Sequence, residues 1–498
     1  MKPGGFRNPE YILLAAVFIL LMVLSFLSQG YYGGADNINH YFLSRYSWTY
    51  PKLFLDPWGR PMYTILASPF ALFGFQGIKV FNIILGTLSA FFLMKTVKIL
   101  KAGQPWMAIV ILVFSPLYMI MLFTAMTEIL FGFLLIFSAY LFFSNRYIAA
   151  AIAISFLPFA RSEGYFMIAF MFLGLLMRKE WKAIIFLGSG FAFFSIIGAW
   201  QYKDLFWVIR NNPYPLIHAV YHTPGPFWSF IRQTDTTFGA ANLLFICLGI
   251  IVLVAGMFNG ASEKRNRYAE VLMMFLLPVL AYYFFHSWMY FKGWAGSLGF
   301  IRVTAGVIPL ASMIALYGIS WLLQLAGNRR WLRLAINILV VLLILFFNFK
   351  TYRYPFALSK EEKVIKTAAV WVKSEFSPIP VVFYNDLNVP YFLDSDPYNH
   401  KKILQLWDAS SITSIPFGAV YIWDSHFGPN ECRIPFDTVM RDPYMRLIKV
   451  FRPKQKIMTY GDRPYEIYIF IKKPETGALD NYFIARGFLE QEDGKLLP

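Results

Sequence analysis

Six carboxylates, Asp36, Asp56, Glu128, Glu163, Asp204 and Asp235, stand in or beside long apolar stretches of this sequence. Ionisable groups beside a bilayer are costly and therefore informative. Asp36 lies in GGADNINHY, where Gly33 and Gly34 let the backbone turn and set a carboxylate at the outer membrane face. Such a carboxylate has the chemistry to take the proton of an acceptor hydroxyl, although Asp also suits the cap of the amphipathic helix that follows. Asp56 and Arg60 sit in LDPWGRP, where Pro57 and Gly59 set a turn. There Arg60 offers a planar fork to phosphate oxygens, or pairs with Asp56 to brace the turn. Glu128, in AMTEIL, falls where one helix emerges and the next begins, with Thr127 as its cap. Arg161 and Glu163, in FARSEGYF, break an apolar region with opposite charges, and read either as substrate contacts or as a mutual salt bridge.

These groups share one side with Arg45, Lys52, Lys203, Arg210, Arg232, Lys292 and Arg302. An outward cavity with carboxylates and guanidinium groups fits a phosphate-bearing lipid and a hydroxyl acceptor. His40, His218, His222 and His286 have no metal-ligand spacing beyond His218 and His222, and read as lone surface histidines. No Walker-type loop, GxSxG elbow or paired CxxC occurs.

The elements that must position these groups are helices across a membrane. Of 498 residues 58% are hydrophobic and 15% charged, with mean hydropathy +0.51. The apolar residues gather into runs of about twenty, the length that crosses about 30 Å of hydrocarbon, which excludes a soluble two-domain enzyme. Spans are expected at 11–28, 78–97, 105–123, 128–144, 147–160, 164–177, 183–200, 241–258, 270–286, 301–325 and 334–350. That makes about eleven crossings, the first a retained signal-anchor helix. With the N-terminus in the cytoplasm, every inner turn is basic: Lys95, Lys98 and Lys101; Arg146; Arg178, Lys179 and Lys182; Lys264, Arg265 and Arg267; Arg329, Arg330 and Arg333. The same count leaves loops 29–77 and 201–240 outside, and loops that long are usually functional. Within the first loop, 61–73 is apolar but too short to span, and reads as an interfacial or re-entrant helix.

The formal charge of +17 belongs to the membrane part: residues 1–350 hold 26 Lys and Arg against 10 Asp and Glu, and residues 351–498 hold 19 against 18. Topology and anionic lipid account for that excess, so nucleic acid is not implied. Beyond Lys350 the pattern changes. Helical periodicity at 360–375 precedes β-rich runs at 380–384, 418–423, 446–451 and 465–471. The domain reading is therefore a transmembrane domain over 1–350 and a small extracytoplasmic α/β domain over 351–498. In the latter, Asp386, Asp394, Asp396, Asp424 and His426 read as groups on solvated loops. Cys247 lies in an apolar run and Cys432 in the polar part, so no disulfide framework is expected.

The first loop, GADNINHYFLSRYSWTYPKLFLDPWGRPMYTILASPFALFG, resembles the first external loop of the GT-C superfamily of polyprenyl-phosphate-sugar-dependent glycosyltransferases. Further likeness lies in TEILFGFLLIFSAYLFF, IAAAIAISFLPFARSEGYF and GWAGSLGFIRVTAGVIPL, in that order, so that most of residues 10–325 is covered. The resemblance implies an all-α polytopic membrane bundle with a small C-terminal α/β domain. It implies an inverting enzyme that passes a sugar from a polyprenyl-phosphate donor to a glycan, lipid or protein acceptor. By that resemblance Asp36 matches the first-loop acidic residue that acts as catalytic base, and Arg60 a basic position near the donor phosphate. Glu128, Arg161 and Glu163 match family positions without an assigned role, Asp56 stays a substrate-binding candidate beside Arg60, and Arg302 matches the Arg after a GSxG-like stretch. A single acidic residue in the first loop departs from the double-acidic signature of the best-known mannosyltransferases. No metal ligand or cofactor is therefore assigned, and a divalent metal is left open.

Two rival readings follow from the same features: a transporter or flippase of lipid-linked sugars, and an O-antigen-ligase-like enzyme using a diphosphate-linked oligosaccharide. The first predicts internal inverted repeats and midplane charges, and no repeat is evident. The absence of any Asn-x-Ser/Thr sequon agrees with a bacterial inner membrane.

Overall fold

The computed structural model describes residues 8–214, 222–259, 262–459 and 462–474, with 491, 492, 495 and 496. Contacts divide the chain into two units. One comprises Met1–Gly33 and Leu43–Phe356, the other Gly34–Phe42 and Ala357–Pro498.

The first unit is helical. Seven helical runs among the described residues are long and apolar enough to cross a membrane: Pro9–Leu27, Gly74–Leu100, Trp181–Tyr202, Ala240–Phe258, Ser262–Lys292, Ile301–Leu325 and Arg330–Thr351. They fall on seven of the eleven expected segments. The other four are shorter or broken. The stretch 105–123 divides into Pro105–Val113 and Pro116–Met121, because Pro116 has no N–H to continue the ladder. Glu128–Phe143, Tyr147–Phe159 and Gly164–Met177 are apolar but shorter.

Burial separates inner from outer helices. Within the most apolar 18 residues of each run, 83% of residues are buried in Ile301–Leu325, against 17% in Pro9–Leu27 and 17% in Arg330–Thr351. On Arg330–Thr351 the residues Leu334, Ile338, Leu342 and Phe346 form an exposed stripe, while Val340, Ile344 and Asn348 face inward. Leaving such a stripe in water forgoes roughly 25 cal/mol per Å² of apolar surface, so the solvent of this face is lipid. The first loop carries three short elements: the helix Ala35–Tyr46, a 3-10 turn at Pro51–Leu55, and the helix Pro61–Ala71 within the expected 61–73.

The second unit is a small α/β structure. Its sheet runs in the order Ile403–Gln405, Val382–Tyr384, Val420–Asp424, Ile467–Lys472, Met445–Phe451. The first three strands are parallel, and the last two are antiparallel to their neighbours. Alternation sends Val382, Val420, Ile422, Ile467 and Ile469 to one face, where Val364, Ile365, Ala368, Ala369 and Val372 of the Lys360–Glu375 helix pack. Phe383, Tyr421, Trp423, Leu447 and Phe470 face the other way. A capping box of Ser359 and Glu362 starts that helix.

One expectation is corrected here. Asp386 and Asp424 do not sit on solvated loops but are 3% and 2% exposed. Each follows or ends a parallel strand and accepts backbone N–H groups of the next turn: Asn388 at 2.8 Å for Asp386, His426 at 3.0 Å and Phe427 at 2.7 Å for Asp424. These bonds replace water and let the carboxylates be buried. Asp394 is exposed and Asp396 half-buried, as expected of loop residues.

Candidate functional site

Glu128 opens the helix Glu128–Phe143, where a carboxylate is favoured by the unpaired N–H groups of the first turn. Its side chain is fully buried, and Oε1 lies 2.8 Å from Nη1 of Arg161. That contact is an ion pair off the axis of a hydrogen bond, and both carboxylate oxygens lack a hydrogen-bond donor among the described residues. Thr127 holds the N-cap position but does not cap; its hydroxyl accepts from Nη1 of Arg161 at 3.2 Å.

Arg161 and Glu163 lie on the tight connection between the Leu157–Phe159 turn and the Gly164–Met177 helix. Gly164 makes that connection possible, since a Cβ there would run into the backbone of Leu157 and Pro158. Oε1 of Glu163 receives Nη2 of Arg161 at 2.8 Å and Nε at 3.2 Å. The Tyr282 hydroxyl lies 3.2 Å from the same oxygen and 3.0 Å from the Val303 carbonyl, so one proton serves two acceptors. Nε2 of His286, one helical turn beyond Tyr282, stands 3.2 Å from Glu163 Oε1.

The structure thus gathers Glu128, Arg161 and Glu163, and adds Thr127, Tyr282 and His286. His286 is buried, not a surface histidine; its helix Leu277–Lys292 turns it inward with Tyr282, four residues earlier. Polar groups at that spacing in an otherwise apolar helix were the available signal. His222 bonds the Gly293 carbonyl through Nδ1 at 2.9 Å, His40 is buried in the second unit, and His218 lies outside the described residues. The cluster holds one carboxylate more than guanidinium. It is equipped to accept hydrogen bonds from hydroxyls, with Arg161 as the fixed counter-charge.

Arg302 is adjacent through the chain. Its Nη1 donates to the Gly33 carbonyl at 2.6 Å and its guanidinium lies 4.7 Å from the Phe300 ring centroid. Asp56 and Arg60 form no ion pair with each other among the described residues. Asp56 Oδ1 instead accepts the Gly59 N–H at 2.8 Å, bracing the turn through backbone. Arg60 caps the Pro61–Ala71 helix with φ 63° and stacks 4.9 Å from the Tyr214 ring centroid, with no carboxylate in ion-pair reach among the described residues. Tyr63 on that helix is buried and interacts electrostatically with Glu128. Asp36 stands in the first turn of Ala35–Tyr46, half-buried, in the segment that belongs to the second unit. Among the described residues no three His, Cys, Asp or Glu side chains gather as a metal site.

No protein-family model matches this chain, and no curated protein does. Among solved structures, ArnT from Cupriavidus metallidurans bound to undecaprenyl phosphate aligns with TM-score 0.60 and 10% identity over 93% of this chain and 98% of that one. The same protein in its apo state aligns with TM-score 0.57 and 10% identity over 92% and 97%. At that identity the likeness is one of fold, and it runs nearly from end to end of both chains.

Proposed function

We propose that this chain, an integral membrane protein with the GT-C fold, is a glycosyltransferase that moves a sugar from a polyprenyl-phosphate donor to a hydroxyl acceptor. What carries the reading is the cluster of Glu128, Arg161 and Glu163 inside an apolar helical unit, since buried charges in a membrane protein mark substrate paths. A fold alone hosts many activities; this cluster gives the fold a polar centre suited to sugar hydroxyls. The neighbour of similar fold was captured with undecaprenyl phosphate, which fits the lipid half of the proposed donor.

In this reading Asp36 takes the proton of the acceptor hydroxyl as its oxygen bonds to the anomeric carbon. The bond from that carbon to the phosphate oxygen breaks, and the lipid phosphate leaves with the electron pair. A single displacement inverts the anomeric centre. Arg60, whose guanidinium faces an aromatic ring rather than a carboxylate, meets the phosphate charge, and Arg302 assists. Glu128, ion-paired with Arg161 but with neither oxygen hydrogen-bonded among the described residues, accepts hydrogen bonds from the sugar. The acceptor is a glycan, a lipid or a protein, and the reaction face is the outer side of a bacterial inner membrane, with the N-terminus in the cytoplasm.

The test is turnover of a panel of polyprenyl-phosphate sugars by purified protein in lipid nanodiscs. Wild type releases the lipid phosphate, and Asp36→Asn loses on the order of 10²–10⁴ in rate, the usual contribution of general-base help. Unchanged turnover in Asp36→Asn removes the base assignment. Consumption of diphosphate-linked donors only, or movement of the lipid between leaflets with the sugar retained, replaces the reading with one of its rivals.

A further inference from the structure

Gln76, Lys79 and Asn82 recur every three residues on the helix Gly74–Leu100 and so lie along one face. Gln76 Nε2 donates to Ser25 Oγ at 2.6 Å. Lys79, 2% exposed, donates from Nζ to the carbonyls of Ser28 at 2.7 Å and Gly30 at 3.0 Å. Asn82, fully buried, donates from Nδ2 to the carbonyls of Thr124 at 2.7 Å and Met126 at 3.1 Å. A buried ammonium is tolerated only with such partners, and Ser28 caps the C-terminal end of Pro9–Leu27, where a helix gathers partial negative charge.

The segments held are not arbitrary. Ser28–Gly30 is the exit of the first helix, from which the chain runs on through Gly33 to Asp36. Thr124–Met126 is the turn that delivers Thr127 and Glu128 to Arg161. Gly30 is held a second time, its N–H bonded to the Phe356 carbonyl at 2.9 Å, and Gly33 by Arg302. Side chains on one face of the Gly74–Leu100 helix therefore hold both stretches.

We infer that Lys79 and Asn82 are positioning residues: each spends its side-chain donors on backbone carbonyls and so fixes one of the two backbone segments that lead into the carboxylates of the proposed site. The inference rests on the proposed transferase reading for its catalytic consequence, but not for its structural one. Satisfying carbonyls where helices break is a general need inside a membrane, so a purely structural role predicts loss of stability alone. Positioning predicts more, because displacement by about 1 Å far from the chemistry can cost on the order of 10² in rate.

The experiment compares Lys79→Met, Lys79→Arg and Asn82→Leu with wild type in nanodiscs, reading kcat per folded molecule, donor KM, and amide exchange of the peptides that contain Gly30 and Met126. Lys95→Met is the control, a lysine nearer the other end of the same helix that bonds Tyr11 at 2.9 Å. Lys79→Met and Asn82→Leu are expected to lower kcat by about 100-fold with little change in donor KM. Lys79→Arg recovers most of that loss and Lys95→Met shows none. Exchange rises at Gly30 in the Lys79 variant and at Met126 in the Asn82 variant. Wild-type kcat in both variants, or unchanged exchange at both peptides, overturns the inference. If wild type itself turns over no lipid-phosphate sugar, the functional reading fails while the exchange data still decide whether the two segments are held as described.

Discussion

Arg161 and Glu163 close an ion pair of 2.8 Å across one intervening residue, and Glu128, at the start of the Glu128–Phe143 helix, meets the same guanidinium at 2.8 Å. Taking one partner out of such a buried group strands the others, at a cost of roughly 3–5 kcal/mol. Arg161→Met is therefore expected to be much less stable than the triple variant Glu128→Gln, Arg161→Met, Glu163→Gln, which removes all three charges together. Thermal unfolding in detergent orders the two. Equal losses would mean that the three charges do not act as a unit.

Arg60 holds φ 63°, a left-handed conformation that costs a non-glycine residue about 1–3 kcal/mol. The turn is kept by groups other than its side chain: Asp56 on the Gly59 N–H, and the Thr64 hydroxyl on the Gly59 carbonyl at 3.0 Å. Arg60→Gly relieves the backbone and removes the guanidinium. Its melting temperature is expected to equal or exceed that of wild type, while affinity for a polyprenyl phosphate, the lipid half of the proposed donor, falls by about 10- to 100-fold, as for loss of a hydrogen bond to a charged group. A binding titration in nanodiscs checks this, and unaltered affinity would take Arg60 out of the proposed phosphate site.

The parts of this molecule that were legible in the sequence are those set by periodicity over many residues. The helix Lys360–Glu375 coincides with its expected span, and seven long apolar runs became seven long helices. The strand Ile403–Gln405 has no signature in the sequence, because three residues after two lysines carry no alternation to read. At the site, Arg161 and Glu163 were visible as charges in an apolar run, but that Glu128 pairs with them depends on packing between helices. Lys79 and Asn82 carry no such mark, since a polar residue in a long apolar helix gives no sign of which backbone it will reach. Asp386 and Asp424 looked like surface groups for the opposite reason: local composition was polar, and only the register of the parallel strands buries them.

That burial makes the second unit sensitive to pH. Loss of water pushes the Asp424 carboxyl up to about 6, and burial together with the Asp424 charge raises Asp386 as well. For the neighbouring His426, burial pulls its pKa down, but the hydrogen bond and charge of Glu361 outweigh it and the net shift is upward. Every one of these groups holds its proton more tightly folded than unfolded. The stabilisation from the two carboxyls is thus complete below their unfolded value near pH 4, and the Asp424 share fades as pH rises through about 6; that of His426 is complete below its unfolded value of 6.5 and fades only above it. Two pKa units correspond to about 3 kcal/mol. Thermal unfolding of wild type and Asp424→Asn, followed side by side from about pH 4 to about pH 8, is expected to show a decline in wild type that the variant flattens. A parallel decline in both would place the sensitivity elsewhere.

Gly164 decides whether the charge cluster can form at all. It is the first residue of the Gly164–Met177 helix, and a Cβ built on it meets the Leu157 carbonyl carbon and the Pro158 nitrogen, which are backbone and cannot rotate away. Alanine is the better helix former by about 1 kcal/mol, yet overpacking against fixed backbone costs roughly 1–3 kcal/mol. Gly164→Ala is therefore expected to lower the melting temperature and, by displacing the Arg161–Glu163 connection, to reduce turnover more than its stability loss explains. The control is Gly188→Ala, where a Cβ meets nothing within 4 Å. If both alanines behave alike, close approach at Leu157 is not what fixes Arg161 and Glu163, and the geometry of the cluster must be held from the Tyr282 side.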